Sequence, residues 1–589
     1  MSSPIPSPQE SIENFLKARD YIASRPLYDE AVKEFKWPEL GKFNWAVQYF
    51  DAYLTEKASH PAVIWVDDEL LDTGDKKVLT HHRLREDSNR LATSLLESGY
   101  KPGDSILVMT GNIPELFTVF LGLLKAGIRI VPATILLSHS DIEDRVKRAG
   151  VTMVMADKAG FNKIEFLRED LAKLGVKDFV YIGNEERGGW KLFQDLLVQG
   201  KPTFNQVLTN ADDDALIYFT SGTTAKPKMV FHTHASYPVG HLTTMYWVGA
   251  QWGDKHYNIS SPGWAKWAWS TFFTAFNSGA TSMVYSFNRF TPSRALKFIT
   301  EYGVNTLCAP PTVWRMFILE DLAKYNFENL REAVSAGEPL NPKVINKVKE
   351  DIGITVREGY GQTETTLQIG YFPGVEVKPG SMGKPAPGYE IVIADIDGKP
   401  VKPGYDGQIT IKIEPRKPLG LMKGYDSPEK NKEVFRLGLY WTGDVAYLGE
   451  DGYLYFVGRA DDVFKSSDYR ISPFEVESDL LKHPAIAEVA VVPSPHPIKW
   501  TVPKAFIKLK PGYKPTPELA KQIFTWAKQN MAPYKRPRII EFVDELPKTI
   551  SGKIRRVELR ALERTRRQKG EKGPHEYFEE DFKTNQSNL

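Results

Sequence analysis

From about Asn44 the chain alternates strand-like and helix-like segments, and this rhythm restricts its fold more than any other feature. "DSILVMT" (Asp104–Thr110) reads as a buried strand, a helix follows Pro114, and "IRIVPA" (Ile128–Ala133) reads as the next strand. The charged helix "HSDIEDRVKRAG" and the strand "VTMVMAD", together His139–Asp157, continue the series. It returns at "TSMVYS", a helix from about Pro292, "NTLCAP", another helix and "EAVSAG", ending at Gly337. Such β-α-β-α-β repetition argues for parallel sheets covered by helices, an α/β class.

The 589 residues exceed what one hydrophobic core usually supports, so more than one domain is expected. After about Gly380 the texture changes. "YEIVIADIDGKPVKPGYDGQITIKI" alternates apolar and polar residues around Asp-Gly and Pro-Gly turns, a pattern of antiparallel hairpins, and "WTGDVAYLGEDGYLYFVGRADD" adds another. From about Ser472 mixed α/β returns. A boundary near Asp461 leaves an N-terminal extension (1–43), a large domain (44–460) and a small C-terminal domain (461–589). The basic run "RRVELRALERTRRQKGEKG" reads as a solvated helix entering a frayed end rather than a binding patch.

Lysine plus arginine number 76 against 74 aspartates and glutamates, so nothing calls for a nucleic-acid partner. Cys308 is the sole cysteine, which excludes an intrachain disulfide. "MSSPIPSPQESIENF" lacks the basic-then-apolar pattern of a signal peptide, and the apolar stretch from Leu116 to Leu137 is broken by Lys125, Arg129 and Pro132. The expectation is a soluble, cytoplasmic protein with no membrane span, compatible with a homo-oligomer.

In "ALIYFTSGTTAKPKMVFHTH" (Ala215–His234), small hydroxyl residues and lysines crowd into a loop suited to polyphosphate. It is not a P-loop, because strands and not a strand and a helix flank it. "REGYGQTET" (Arg357–Thr365) adds two glycines, a hydroxyl and the carboxylate Glu364, the oxygen type magnesium prefers. "SAGEPL" (Ser335–Leu340) follows a strand. "YWTGD" places Asp444 and "FVGRADD" places Arg459 at strand ends, and "LPKTISGKIRR" sets Lys553 in a glycine-flanked loop.

In this order these motifs resemble the AMP-forming acyl-CoA synthetases of the adenylate-forming superfamily, which includes luciferases and peptide-synthetase adenylation domains. "GRADDVFKSSDYRISPFEVE" and the Met after Pro227-Lys228 are most similar to the medium-chain branch. The resemblance implies a β-barrel-like subdomain in the large domain and a mobile C-terminal domain hinged at Asp461. It implies two steps: a small-molecule carboxylic acid attacks the α-phosphate of Mg-ATP to give acyl-adenylate and pyrophosphate, then coenzyme A displaces AMP. The phosphate loop would be Thr220, Ser221, Gly222, Thr223, Thr224, Ala225, Lys226, Pro227 and Lys228. Glu338, Pro339, Glu358, Gly359, Tyr360, Gly361, Gln362 and Thr363 would line the adenine and α-phosphate site, Glu364 would hold Mg2+, and Asp444 and Arg459 the ribose. Catalysis would fall to Lys553 with Glu364, Thr220 and Lys228.

Ser466, Ser467, Asp468, Arg470, Lys499 and Lys528 fall where the branch contacts CoA. Three departures stand out: Ala225 for a usual glycine, Trp500–Thr501 for Gly-Glu, and Asp468 for a glycine beside the pantetheine tunnel. Gly361 stands where acetyl-CoA synthetases carry a pocket-flooring tryptophan, and Trp264 matches an aromatic beside the acyl chain. Acids of four or more carbons, hydroxylated ones included, are therefore expected over acetate. An adenylating enzyme that loads a carrier protein, and an ATP-dependent phosphotransferase, are the alternatives.

Overall fold

A computed structural model describes residues 5–220, 227–466, 469–496, 500–533, 535–549 and 552–582. The chain divides into two compact units, Met1–Glu390 with Lys412–Gly438, and Ile391–Ile411 with Leu439–Leu589. Asp461 lies in the second.

The first unit is built on two sheets. Among the described residues one has eight strands, with Ser105–Met109, Arg129–Pro132, Val151–Ala156, Asp178–Tyr181 and Asp214–Thr220 at its centre. Their pairings are parallel, as the strand–helix rhythm required. The His139–Ala149 helix shows why the elements begin and end where they do. Ser138 and Asp141 form a capping box at its start, and Gly150 ends it at φ 60°, a conformation that suits glycine. The apolar helix Glu115–Lys125 is buried along its length, so the stretch from Leu116 is core. Lys125 is buried too, its ammonium 2.7 Å from Asp51.

The second sheet has nine strands among the described residues, and the run Glu332–Ala336, Thr306–Ala309, Lys255–Asn258 and Thr281–Tyr285 is parallel throughout. Trp267–Thr274 forms a π-helix, a wide-turned element often found at functional sites.

In the second unit, Ile391–Ala394 and Gly407–Lys412 pair antiparallel, as do Leu439–Leu448 and Leu454–Arg459. The remainder centres on a sheet of Ile486–His496, Trp500–Leu509, Ile539–Phe542 and Glu576–Phe578. The α/β class expected from sequence is the one observed. The basic tail differs from its reading. The Arg556–Lys569 helix buries Leu559 and Glu563, and the chain then adds the Glu576–Phe578 strand instead of fraying. Lys504 explains it. Its ammonium lies 2.7 Å from Glu541, 2.5 Å from Glu563 and 2.7 Å from Glu576, and all four groups are buried. Arg566 and Arg567 supply the countercharge, pairing with Glu541 and with Glu563 and Glu576. A buried carboxylate needs such partners.

Candidate active site

The motif residues of the first unit gather where strands end. Thr220, Ala336 and Gln362 close their strands at the carboxyl end, where open α/β sheets bind ligands. Asp214–Thr220 and Lys228–Thr233 pair antiparallel with Thr220 opposite Lys228, which makes the strand–loop–strand expected. Ser221, Gly222, Thr223, Thr224, Ala225 and Lys226 lie outside the described residues. Thr220 is half-buried, and the Lys228 ammonium sits 5.4 Å above the Tyr425 ring.

Arg148, which the motif reading missed, braces the base of this loop. Its Nη1 donates to Asp144 Oδ2 at 3.0 Å and to the Pro227 carbonyl at 2.7 Å, and its Nη2 to Asp426 Oδ2 at 2.6 Å. The Asp144–Arg148 pair at helical spacing was visible in the sequence. The carbonyl 79 positions away was not.

Glu332–Ala336 and Val356–Gln362 run parallel with Ser335 opposite Glu358. Beyond them Glu338 accepts from Arg315 Nη2 at 2.9 Å, beside a half-buried Pro339. Glu358 is only 6% exposed. Burial pushes its carboxyl up to about 8, against the opposing pull of a hydrogen bond from the Leu340 amide. Gly359 is packed on Trp247, 2.5 Å from where a Cβ would sit, and Trp247 Nε1 donates to the Glu358 carbonyl at 3.1 Å. Tyr360 is half-buried at a register shift. A Cβ on Gly361 would lie 2.1 Å from the Thr366 carbonyl oxygen and 2.6 Å from Trp269 Cη2, so no side chain fits.

The turn that follows is held from below. Gln362 N–H donates to Thr365 Oγ1 at 3.0 Å. His232 Nε2 donates to the Thr363 carbonyl at 2.7 Å, which leaves Nδ1 to accept from Ser236 Oγ at 2.9 Å. Burial pushes His232 down to about 3, so the ring is neutral at any working pH. Glu364 Oε1 accepts from the Tyr425 hydroxyl at 2.9 Å, which aims a half-buried carboxylate of the kind that suits Mg2+. Trp264 is half-buried in the turn closed by its amide on Ser261 O at 3.1 Å. Gly263 lets this turn press on the strand end, where a Cβ would lie 2.1 Å from the Thr134 nitrogen.

In the second unit, Asp444 and Arg459 face each other across a strand pair, with Arg459 Nε 3.3 Å from Asp444 Oδ1 and 3.7 Å from Asp461 Oδ1. Asp444 is buried, and Arg459 is half exposed. Lys553 is exposed in a turn in which its amide donates to Thr549 Oγ1 at 3.0 Å and its carbonyl accepts from Thr549 N at 2.7 Å. Gly552 takes the φ of 83° this turn requires. Of the residues expected to meet CoA, Ser466 is buried on a short strand. Lys528 pairs loosely with Glu579 at 3.7 Å. Arg470 lies on a strand, its side chain outside the described residues, as are Ser467, Asp468 and Lys499 altogether.

The sequence profile of AMP-binding enzymes matches residues 50–426, well over half of the chain. The chain belongs to the AMP-binding enzyme family. The profile of the AMP-binding enzyme C-terminal domain matches residues 475–553 and ends on Lys553. A 4-hydroxybutyrate–CoA ligase of Metallosphaera sedula is 46% identical over 97% of this chain and 99% of its own length. The mitochondrial acyl-coenzyme A synthetase ACSM3 of Mus musculus is 37% identical over 92% of this chain and 95% of its own length. Among solved structures, an anthranilate CoA ligase bound to anthranoyl-AMP superposes with a TM-score of 0.80 at 28% identity, covering 89% of this chain and 98% of that one. The synthetase is an AMP-forming acyl-CoA ligase that uses ATP and coenzyme A. Among the described residues no helix is long and apolar enough to cross a membrane.

Proposed function

We propose that the synthetase activates a carboxylic acid of four or more carbons, and that a hydroxylated four-carbon acid such as 4-hydroxybutyrate is its substrate. The supporting observation is the 46% identity, over nearly the whole of both chains, to a 4-hydroxybutyrate–CoA ligase. The loop from Thr220 to Lys228 receives the β- and γ-phosphates, which leave as pyrophosphate. Glu338, Pro339 and the strand from Glu358 to Thr363 hold adenine and the α-phosphate. Asp444 accepts ribose hydroxyls, with Arg459 beside it. Glu364 holds magnesium, which supplies positive charge to the phosphates when bound. Lys553 offsets the negative charge that builds up at the α-phosphate during attack by the acid. Ser466, Arg470 and Lys528, with Ser467, Asp468 and Lys499, serve coenzyme A. A cytoplasmic setting fits a chain whose one cysteine, Cys308, is buried and free.

A panel of acids from acetate to octanoate, with hydroxy acids included, assayed for AMP release with CoA, tests the reading. Four-carbon acids should outrun acetate, and AMP should appear as thioester forms. Preference for acetate, or release of ADP, would overturn it.

A further inference from the structure

Gly361 was expected to deepen the acyl pocket by leaving out a side chain, yet the space beside it is filled. The tip of Trp269 lies 2.6 Å from where its Cβ would sit. Trp269 comes from the π-helix, and its Nε1 donates to Tyr237 Oη at 2.7 Å. The Tyr237 ring packs against Tyr218 at 5.6 Å and against His241 at 4.5 Å between centroids, and His241 lies 5.5 Å from Trp269. The four side chains are buried, the most exposed of them, Trp269, at 6%.

Two polar atoms of this box have no hydrogen-bond partner among the described residues: Tyr218 Oη and His241 Nε2. His241 Nδ1 is taken up by Thr244 Oγ1 at 2.9 Å, so only Nε2 is open. Buried polar groups are ordinarily satisfied, and leaving two on side chains that pack against the same Tyr237 ring is costly unless something else satisfies them. The box carries no charge to compensate an anion: burial, and then the neighbouring His232, hold the His241 ring neutral, and burial keeps the Tyr218 phenol protonated. An alcohol fits, because one hydroxyl both donates and accepts. A second carboxylate does not, since its charge would be buried unpaired.

We propose that Trp269, Tyr237, Tyr218 and His241 form the far end of the acyl pocket and that Tyr218 Oη and His241 Nε2 hold the terminal hydroxyl of an ω-hydroxy acid. This rests on the reading above that the synthetase activates acids of at least four carbons.

The test is pyrophosphate release with 4-hydroxybutyrate, butyrate and succinate, on the wild type and on Tyr218→Phe, which removes one oxygen and keeps the ring. The wild type should favour 4-hydroxybutyrate over butyrate by about tenfold in kcat/KM, with succinate last. In Tyr218→Phe that ratio should fall by about five- to tenfold, with the thermal midpoint no lower, because the lost oxygen has no partner among the described residues. Trp269→Phe, which keeps an aromatic wall but shortens it, should raise hexanoate relative to butyrate. Wild-type indifference between 4-hydroxybutyrate and butyrate, or an unchanged ratio in Tyr218→Phe, overturns the box while leaving the ligase reading intact. Failure of every acid to release AMP would instead remove the ligase reading itself.

Discussion

Glu358 offers a proton-linked measure of the site's interior. Its carboxyl is pushed up to about 8 from an ordinary 4.5, chiefly by burial. In the folded state it therefore keeps a proton that the unfolded chain releases near pH 4.5. The folded state binds more protons between these values, so stability falls as pH rises and levels off above the folded value. The interval is 8 − 4.5 = 3.5 pH steps, and at 1.36 kcal/mol each the full loss is about 5 kcal/mol. Glu358→Gln keeps the shape and an acceptor for the Leu340 amide but has no proton to lose. Chemical unfolding of both proteins without nucleotide, from pH 5 to pH 9, gives the difference directly. The variant should gain on the wild type by about 1.4 kcal/mol per pH unit up to about pH 8, then run parallel. Parallel behaviour across the whole range would mean that Glu358 ionises normally where it sits, and the desolvation argument would be refuted.

Lys553→Ala should lower acid-dependent pyrophosphate exchange by ~3–4 kcal/mol in transition-state energy while sparing thioester formation from supplied acyl-adenylate; near-normal exchange would remove it from the chemistry. Gly361→Ala should destabilise the protein by ~1–3 kcal/mol, because its Cβ meets a backbone oxygen that cannot swing aside; an unshifted thermal midpoint would show that the strand yields. The same contact makes Gly361→Trp a poor probe of chain length. Arg148→Ala should raise the KM for ATP several-fold, and Arg148→Lys should recover only part, since one ammonium cannot replace the fork. Unchanged ATP kinetics would reduce Arg148 to a surface ion pair.

The parallel sheets were legible because their strands are near-continuous apolar runs, such as Ser105–Met109, set between capped helices. The strand–loop–strand from Asp214 to Thr233 was legible because a cluster of small and hydroxyl residues separates two apolar runs close together in the chain. What escaped depends on residues far apart in sequence. Arg148 reaches Pro227, and Lys504 gathers Glu541, Glu563 and Glu576. No local pattern marks those pairings. Trp269 was hidden for another reason: in "SPGWAKWAW" three tryptophans look alike, and only the wide π-turn decides which one reaches Gly361.

The chain passes from one unit to the other three times, after Glu390, Ile411 and Gly438. The timing of synthesis follows from this. The Ile391–Ala394 and Gly407–Lys412 strands leave the ribosome before the Leu439–Leu448 strand that extends their sheet. The first unit likewise waits for its return segment, because Tyr425, which fixes the Glu364 carboxylate, is made 61 residues after it. At about 5–20 residues per second that wait lasts roughly 3–12 s. Through it the nascent chain holds a Glu364 carboxylate not yet fixed by its tyrosine partner, so on the site reading proposed above nucleotide is gripped only once the second unit is already under way.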